Sequence, residues 1–279
     1  MNAEPVLLGK SIRCGYHPSS DVLQLDHIMV YAGELLFVLG RSGIGKSTFL
    51  ELSGLMNKPT ARAEGQLKFK YKDADVENIL DLWQQGDQAL SQFRSIHYSF
   101  IFQETNLLEH YSVGENMCLP ALIQGQAQEG VLERALKYMD QVSLNRDYYD
   151  RRPSQLSGGQ KQRASFIRAL LADFSILFGD EPTGNLDSAT AYQLMALLKQ
   201  HINEEKKAAI IVSHDIRLAI QFADRIAVLT GVDETSETGH LDMNNFYERN
   251  ASNQWSLKGV EIPDDTLFMR ISKLIRLAD

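Results

Sequence analysis

Leu35-Leu36-Phe37-Val38-Leu39 is an unbroken apolar run, with Gly33 just before it and Gly40 closing it. Phe174 to Phe178 and Ala209 to Val212 have the same character, and Ile226 to Leu229 forms a fourth run. Runs without polar alternation fit strands buried on both faces, as in a parallel sheet covered by helices. Between them the spacing becomes helical: Phe49, Leu50, Leu52 and Leu55 follow the first run, and Leu194, Leu197, Leu198 and Ile202 precede the third. Strands alternating with helices predict an α/β fold with a largely parallel sheet. Gln66 to Tyr71 alternates polar and apolar residues, the pattern of a half-exposed strand.

The middle of the chain departs from this rhythm. Residues 104–171 read as mostly helical, with Val131, Leu132, Ala135, Leu136 and Met139 marking one amphipathic face, so a helical lobe is inserted into the sheet domain. After Thr230 the composition shifts toward Thr, Glu, Asp and Asn, which predicts a loop of low apolar content opening an extension over 231–279. Beyond Pro263, Leu267, Phe268, Ile271, Leu274 and Ile275 recur at helical spacing, and Asp264 and Asp265 stand where a first turn favours acids. That final helix either packs on its own domain or binds a partner.

Composition narrows the function. With 44% hydrophobic and 23% charged residues, 279 residues suffice for one large domain or two modest ones, and neither disorder nor a multi-pass membrane protein fits. The net charge of −8 argues against an electrostatic nucleic-acid binder, while a local basic site for a small phosphate ligand stays open. No stretch approaches the ~18 uninterrupted apolar residues of a membrane span; Ala164 to Phe178 is broken by Arg168 and Asp173. Glu4 and Pro5 stand where a secretory signal carries basic and apolar residues, so the expectation is a cytosolic chain that reaches a membrane by docking. Cys14 and Cys118 are too few and too far apart for a disulfide framework or metal cluster, and read as free thiols.

Gly40-Arg41-Ser42-Gly43-Ile44-Gly45-Lys46-Ser47 fits G-x-x-x-x-G-K-[ST], and it lies between a buried strand and an amphipathic helix that continues with Thr48. Glycines let the backbone curl so that N–H groups point at phosphate oxygens, and the helix adds its positive N-terminus. Lys46 brings a point charge to the outer phosphates and the Ser47 hydroxyl is a Mg²⁺ ligand. Asp180, ending another apolar run, is a second candidate for Mg²⁺. Glu181 is placed to polarise an attacking water.

Leu156-Ser157-Gly158-Gly159-Gln160, taken with the cradle and Asp180-Glu181, is the signature of ATP-binding-cassette ATPases, which this chain resembles from about Leu8 to Leu229. The resemblance implies a P-loop NTPase core with a mostly parallel sheet, a small antiparallel β subdomain and the inserted helical lobe, spanning residues 1–230. It implies ATP and Mg²⁺ as cofactors, and a signature helix whose N-terminus, at Ser157, Gly158, Gly159 and Gln160, meets ATP held by a second subunit. Gln103 resembles the glutamine that joins sheet and lobe and senses Mg²⁺ and the attacking water. His214 resembles the switch histidine that contacts the γ-phosphate and orients Glu181, and Asn185-Leu186-Asp187 the loop that touches the partner subunit. Tyr16 is the candidate aromatic for stacking on adenine, with Tyr31 or a packing role as rivals.

Asp180 to Asp187 is most similar to the subgroup serving lipoprotein release and macrolide-type efflux. That subgroup implies a Mg²⁺-dependent ATPase, homodimeric or paired with a related subunit. It would sit at the cytoplasmic face of the inner membrane on an integral permease, and through that permease reach periplasmic or outer-membrane components. A division-type cassette that regulates a membrane partner without carrying cargo is the alternative. Ile44, larger than the family's usual residue in the cradle, and the long tail depart from the pattern.

Overall fold

The computed structural model describes residues 4–16, 20–56, 65–231, 238–250 and 252–276. Among them the strands and helices run, in chain order, β1 (Leu7–Cys14), β2 (Leu23–Val30), β3 (Leu35–Gly40), α1 (Lys46–Ser53), β4 (Gln66–Tyr71) and β5 (Ala74–Val76). Then come α2 (Leu82–Gln85), α3 (Asp87–His97), β6 (Tyr98–Ile101), α4 (Val113–Ile123), α5 (Gln128–Gln141), α6 (Gly158–Leu171), β7 (Ile176–Asp180) and α7 (Ser188–Glu205). The chain ends with β8 (Ala208–Ser213), α8 (Ile216–Phe222), β9 (Arg225–Gly231), β10 (Gly239–Leu241), β11 (Phe246–Arg249), β12 (Trp255–Leu257), β13 (Val260–Glu261) and α9 (Asp264–Arg276).

One mixed sheet runs through the molecule in the order β5-β4-β1-β2-β10-β9-β3-β8-β7-β6. The β9-β3-β8-β7-β6 half is parallel, and these strands hold the four apolar runs of the sequence. The β5-β4-β1-β2 half is antiparallel, with Leu7 opposite Val30 on one side and Phe69 on the other.

Alternation along the central parallel strands explains why their middles are unbroken apolar runs. Leu35, Phe37 and Leu39 of β3 face a core shared with α4 to α9, whereas Leu36 and Val38 face a second core with α1, α3 and the antiparallel strands. In β8, Ala209 and Ile211 join the first core and Ile210 and Val212 the second. Each such strand therefore buries both faces, and at about 25 cal/mol per Å² of apolar surface this double burial is the main favourable term.

The inserted lobe is α4, α5 and α6, packed through Met117, Ala121, Val131, Ala135, Met139 and Ile167. Ser112 starts α4 with a reciprocal cap: its hydroxyl accepts the Glu115 N–H and the Glu115 carboxylate accepts the Ser112 N–H. Arg168 of α6 ties the lobe to the sheet, donating to the carbonyls of Asn106 at 2.8 Å and Thr105 at 2.9 Å. Both cysteines are free and buried, and burial pushes the Cys14 thiol up to about 11.

The tail differs from the loop its composition predicts, although the final helix falls where expected. Residues 232–237 lie outside the described set, but from Gly239 onward the chain rejoins the sheet. β10 inserts between β2 and β9, and β11 pairs with β9 nearer its start. Tyr247, Trp255, Leu267 and Ile271 are buried in the first core. These strands are two to four residues long, so each shows only one or two apolar side chains and leaves no periodic trace.

Candidate functional site: a nucleotide cleft at the carboxyl ends of four strands

Four adjacent parallel strands, β3, β8, β7 and β6, end on one edge of the sheet. Gly40 closes β3, His214 follows β8, Asp180 ends β7 and Gln103 follows β6. Crevices at the carboxyl ends of parallel strands are where α/β sheets collect ligands. A cleft of about 440 Å³ opens there, lined by Tyr16, Ser42, Lys46, Gln103, Asp180 and Glu181 together with Val22, Gly43, Gly45, Ser47 and Thr48.

The loop from Gly40 to Gly45 curls because Gly43 and Gly45 take φ of +78° and +97°, a region where a side chain is strained. Ile44 turns away from the cleft into the second core and is 1% exposed, so its bulk does not crowd the cradle. Lys46 begins α1, and its ammonium donates to the Gly40 and Arg41 carbonyls, both at 3.0 Å. Burial lowers the Lys46 pKa, opposed by the nearby carboxylates of Glu181 and Asp180. The loop's own carbonyls thus hold the Lys46 ammonium at the cleft.

Opposite the loop, the Ser47 hydroxyl donates to an Asp180 carboxylate oxygen at 3.2 Å. Burial raises the Asp180 pKa, with the Glu181 charge adding to the rise and the Ser47 hydrogen bond opposing it. Glu181 adopts φ +44°, rare for a residue with a side chain, while its N–H donates to the Val212 carbonyl at 2.9 Å. This turn lays its carboxylate in the cleft, 3.1 Å from Nδ1 of His214, where Glu181 is 22% and His214 66% exposed. Gln103 lines the cleft at the start of the connection into the lobe.

Tyr16 stands at the mouth of the cleft, 47% exposed, its hydroxyl tied to α1 through Thr48 Oγ1 at 2.9 Å and Glu51 at 3.0 Å. Tyr31 is elsewhere, against the guanidinium of Arg225. Two residues that sequence reading does not single out belong to this neighbourhood. Val22 lines the cleft. Gly239, on the tail, packs so closely on the Ile44 carbonyl that a Cβ there would lie 2.1 Å from its oxygen. Val22 carries no signal in the sequence, and Gly239 sits in a stretch that reads as loop.

The signature residues are not among those lining this cleft. Ser157 caps α6: its hydroxyl accepts the Gln160 N–H at 3.3 Å, and the Gln160 side chain accepts the Ser157 N–H at 2.8 Å. A Cβ on Gly158 would meet nothing within 4 Å, so this helix start presents an open face. Gln162 of α6 donates to the Pro182 carbonyl at 2.8 Å, and Leu186 lies 3.4 Å from a Cβ placed on Gly159. The helix is thus tied to the Asp180–Asp187 loop at its flank, with its N-terminus left free.

A P-loop fold with a strand-end acid pair and a capped, open helix start defines the site as that of a nucleotide-hydrolysing protein. Residues 23–184 match the ABC transporter family, and the chain belongs to it. It is 37% identical over 210 residues to the lipoprotein-releasing system ATP-binding protein LolD of Colwellia psychrerythraea, covering 75% of this chain and 77% of that protein. It is 38% identical over 228 residues to the macrolide export ATP-binding/permease protein MacB of Shigella flexneri, covering 80% of this chain but 33% of that longer protein. The fold matches that of MJ0796, a bacterial ABC transporter cassette in dimeric form, at a TM-score of 0.73 and 30% identity, over 88% of this chain and 99% of that one. A post-hydrolysis dimer of the same cassette with ADP and Pi matches at 0.70 and 29% identity, over 85% of this chain and 96% of that one. The chain is an ATP-binding, ATP-hydrolysing cassette of this family.

Proposed function

We propose that two copies of this chain, or one copy and a related subunit, close head to tail around two MgATP and drive an integral membrane permease of the lipoprotein-release or efflux type. The observation that carries this reading is the division of the phosphate-binding groups. Lys46, Ser47, Asp180, Glu181 and Gln103 line one cleft, with His214 beside it in contact with Glu181, whereas the N-terminus of α6 is capped, open and outside it. A helix N-terminus attracts anions, so a second protomer's α6 completes the site by reaching the γ-phosphate across the interface.

Within that site each side chain has a role. Gly40, Arg41, Ser42, Gly43, Ile44 and Gly45 supply backbone around the phosphates, Lys46 neutralises their charge, Thr48 helps fix Tyr16, and Tyr16 offers its ring to adenine. Ser157, Gly158, Gly159 and Gln160 form the surface offered to the partner's ATP. Ser47 and Asp180 are hard oxygen ligands 3.2 Å apart, a set that would hold Mg²⁺, and Gln103 lines the same cleft. That ion would neutralise phosphate charge. Glu181 accepts the proton of the attacking water, and His214, hydrogen-bonded to it, holds the carboxylate in line. Hydrolysis removes the bridge between cradle and α6, and the interface relaxes.

Residues 1–230, with their lobe over 104–171, are read as the ATPase unit, and residues 231–279 as an extension that braces it. Docking on a permease is supported by a groove of about 450 Å³ where sheet and lobe meet, lined by Phe100, Phe102, Leu108, Leu119, Pro120 and Ile123. Among the described residues no helix is long and apolar enough to cross a membrane. The names of LolD and MacB favour lipoprotein release or efflux over a division-type regulator.

Glu181→Gln tests the central claim. With MgATP it should accumulate as a species of twice the protomer mass in light scattering, while phosphate release falls about 10²–10⁴-fold. Hydrolysis at the native rate, or a strictly monomeric variant at saturating MgATP beside its membrane partner, would refute the composite site. A detergent pull-down followed by assays of cargo release and of cell-wall cleavage separates the transporter from the regulator.

A further inference from the structure

We infer that the chain's terminal segment acts, through α8, as the positioning element of His214, with Phe268 and Arg249 as its two working contacts. The inference rests on the role proposed above for His214.

His214 is two-thirds exposed at its side chain and lies between the end of β8 and the N-cap of α8. What fixes it is the backbone on either side. The Asp215 N–H donates to the Ser213 hydroxyl at 3.0 Å, and the Asp215 carboxylate accepts the Leu218 N–H at 2.9 Å, so the histidine turn is continuous with the first turn of α8. That helix has seven residues, too few to hold its own direction, since isolated helices below about 12 residues are marginal even in good helix-forming sequences. Its direction comes from outside.

Two parts of the tail supply it. At the far end, Arg249 of β11 donates to the carbonyls of Ile220 at 2.5 Å and Ala223 at 3.0 Å, neutralising the negative end of the helix. Arg249 is itself held over the fully buried Trp255, 4.5 Å from its ring. Along the flank lies α9, anchored by Leu267 and Ile271 in the core, with the Phe268 ring 5.4 Å from the guanidinium of Arg217. A cavity of about 340 Å³ is lined by His214, Asp215 and Arg217 and, from α9, by Phe268, Ser272 and Ile275, so α9 walls the space beside the histidine. Neither Phe268 nor Arg249 lines the phosphate cleft. A shift of α8 swings the turn that carries His214, and with it the 3.1 Å contact to Glu181.

The test is a double-mutant cycle on the full chain, read as phosphate release under saturating MgATP at a temperature where thermal melts show every variant folded. Phe268→Ala should lower kcat about tenfold, as expected for a misplaced rather than missing group, and leave the KM for ATP within about twofold. Phe268→Leu should restore most of the rate. In a His214→Ala background, Phe268→Ala should change nothing further. Equal factors in both backgrounds, or no loss in the native one, overturn the inference. A His214→Ala variant with native turnover instead overturns the role of His214 itself, so the two failures are distinguishable. If Phe268→Ala does not fold, Arg217→Gln removes the same stack from the exposed side and enters the same cycle with the same expected results.

Discussion

At Gly239 only a hydrogen fits between the tail and the phosphate loop. A Cβ would stand 2.1 Å from the Ile44 carbonyl oxygen and 3.0 Å from Leu229 Cδ2, and the first of these is backbone that must move. Because Ile44 lies within the cradle, displacing its carbonyl re-aims the neighbouring N–H groups. Gly239→Ala should therefore weaken MgATP binding about tenfold, or 1.4 kcal/mol, in an equilibrium titration. Gly130→Ala is the control, since a Cβ there meets nothing within 4 Å, and its affinity should stay native. Equal affinities for the two variants would show that β10 does not brace the loop. The contrast with Gly43 and Gly45 shows what sequence can and cannot display. Those two glycines are needed for their own backbone angles, which a local motif spells out, whereas Gly239 is needed by a residue far away along the chain. Tyr16 is an intermediate case: its place near the cradle is implied by the family resemblance, but its hydroxyl contacts on Thr48 and Glu51 are not.

The same distinction governs the elements. β3, β7, β8 and β9 are readable because burial on both faces leaves an unbroken apolar run, and α7 and α9 because one buried face repeats every helical turn. In the lobe the amphipathic face of α5 is readable but α4 is not, since α4 has apolar residues nearly all round and so little facial contrast. β10 to β13 cannot be read, because their residues are buried by neighbours from distant sequence rather than by their own pattern. Trp255 on three-residue β12 is the clearest instance: fully buried, stacked by Arg249, and set in a polar stretch. Removing a buried tryptophan side chain costs about 3–5 kcal/mol. Trp255→Ala should lower the urea-unfolding free energy by that amount, while the exposed Leu274→Ala on α9 should stay within about 0.5 kcal/mol of native. If the tryptophan variant behaved like the leucine one, the tail would be an appendage rather than part of the first core.

Across the whole molecule, the joint between lobe and sheet carries an ionisable group in neutral form. His201 of α7 meets Tyr138 of α5 through Nδ1 at 3.1 Å, and its ring lies 5.7 Å from Phe174, just before β7. Burial pulls its pKa from 6.5 down to about 4, with Lys207 and Arg134 pushing the same way and Glu204 and Asp173 opposing. A histidine that is harder to protonate when folded binds fewer protons in the native than in the unfolded state between those two values. Its contribution is fully present above about pH 6.5 and is lost as pH falls toward 4, amounting to about 2 kcal/mol between pH 7 and pH 5. In urea titrations the native chain should lose that much more stability over this interval than His201→Gln, which keeps a polar partner for Tyr138 but cannot charge. Other titrating groups act equally on both chains and cancel in the difference. Parallel losses in the two would place the acid sensitivity in carboxylates instead. The expected divergence would mean that the contact surface between α5 and α7, across which lobe and sheet are held in register, depends on keeping one imidazole uncharged.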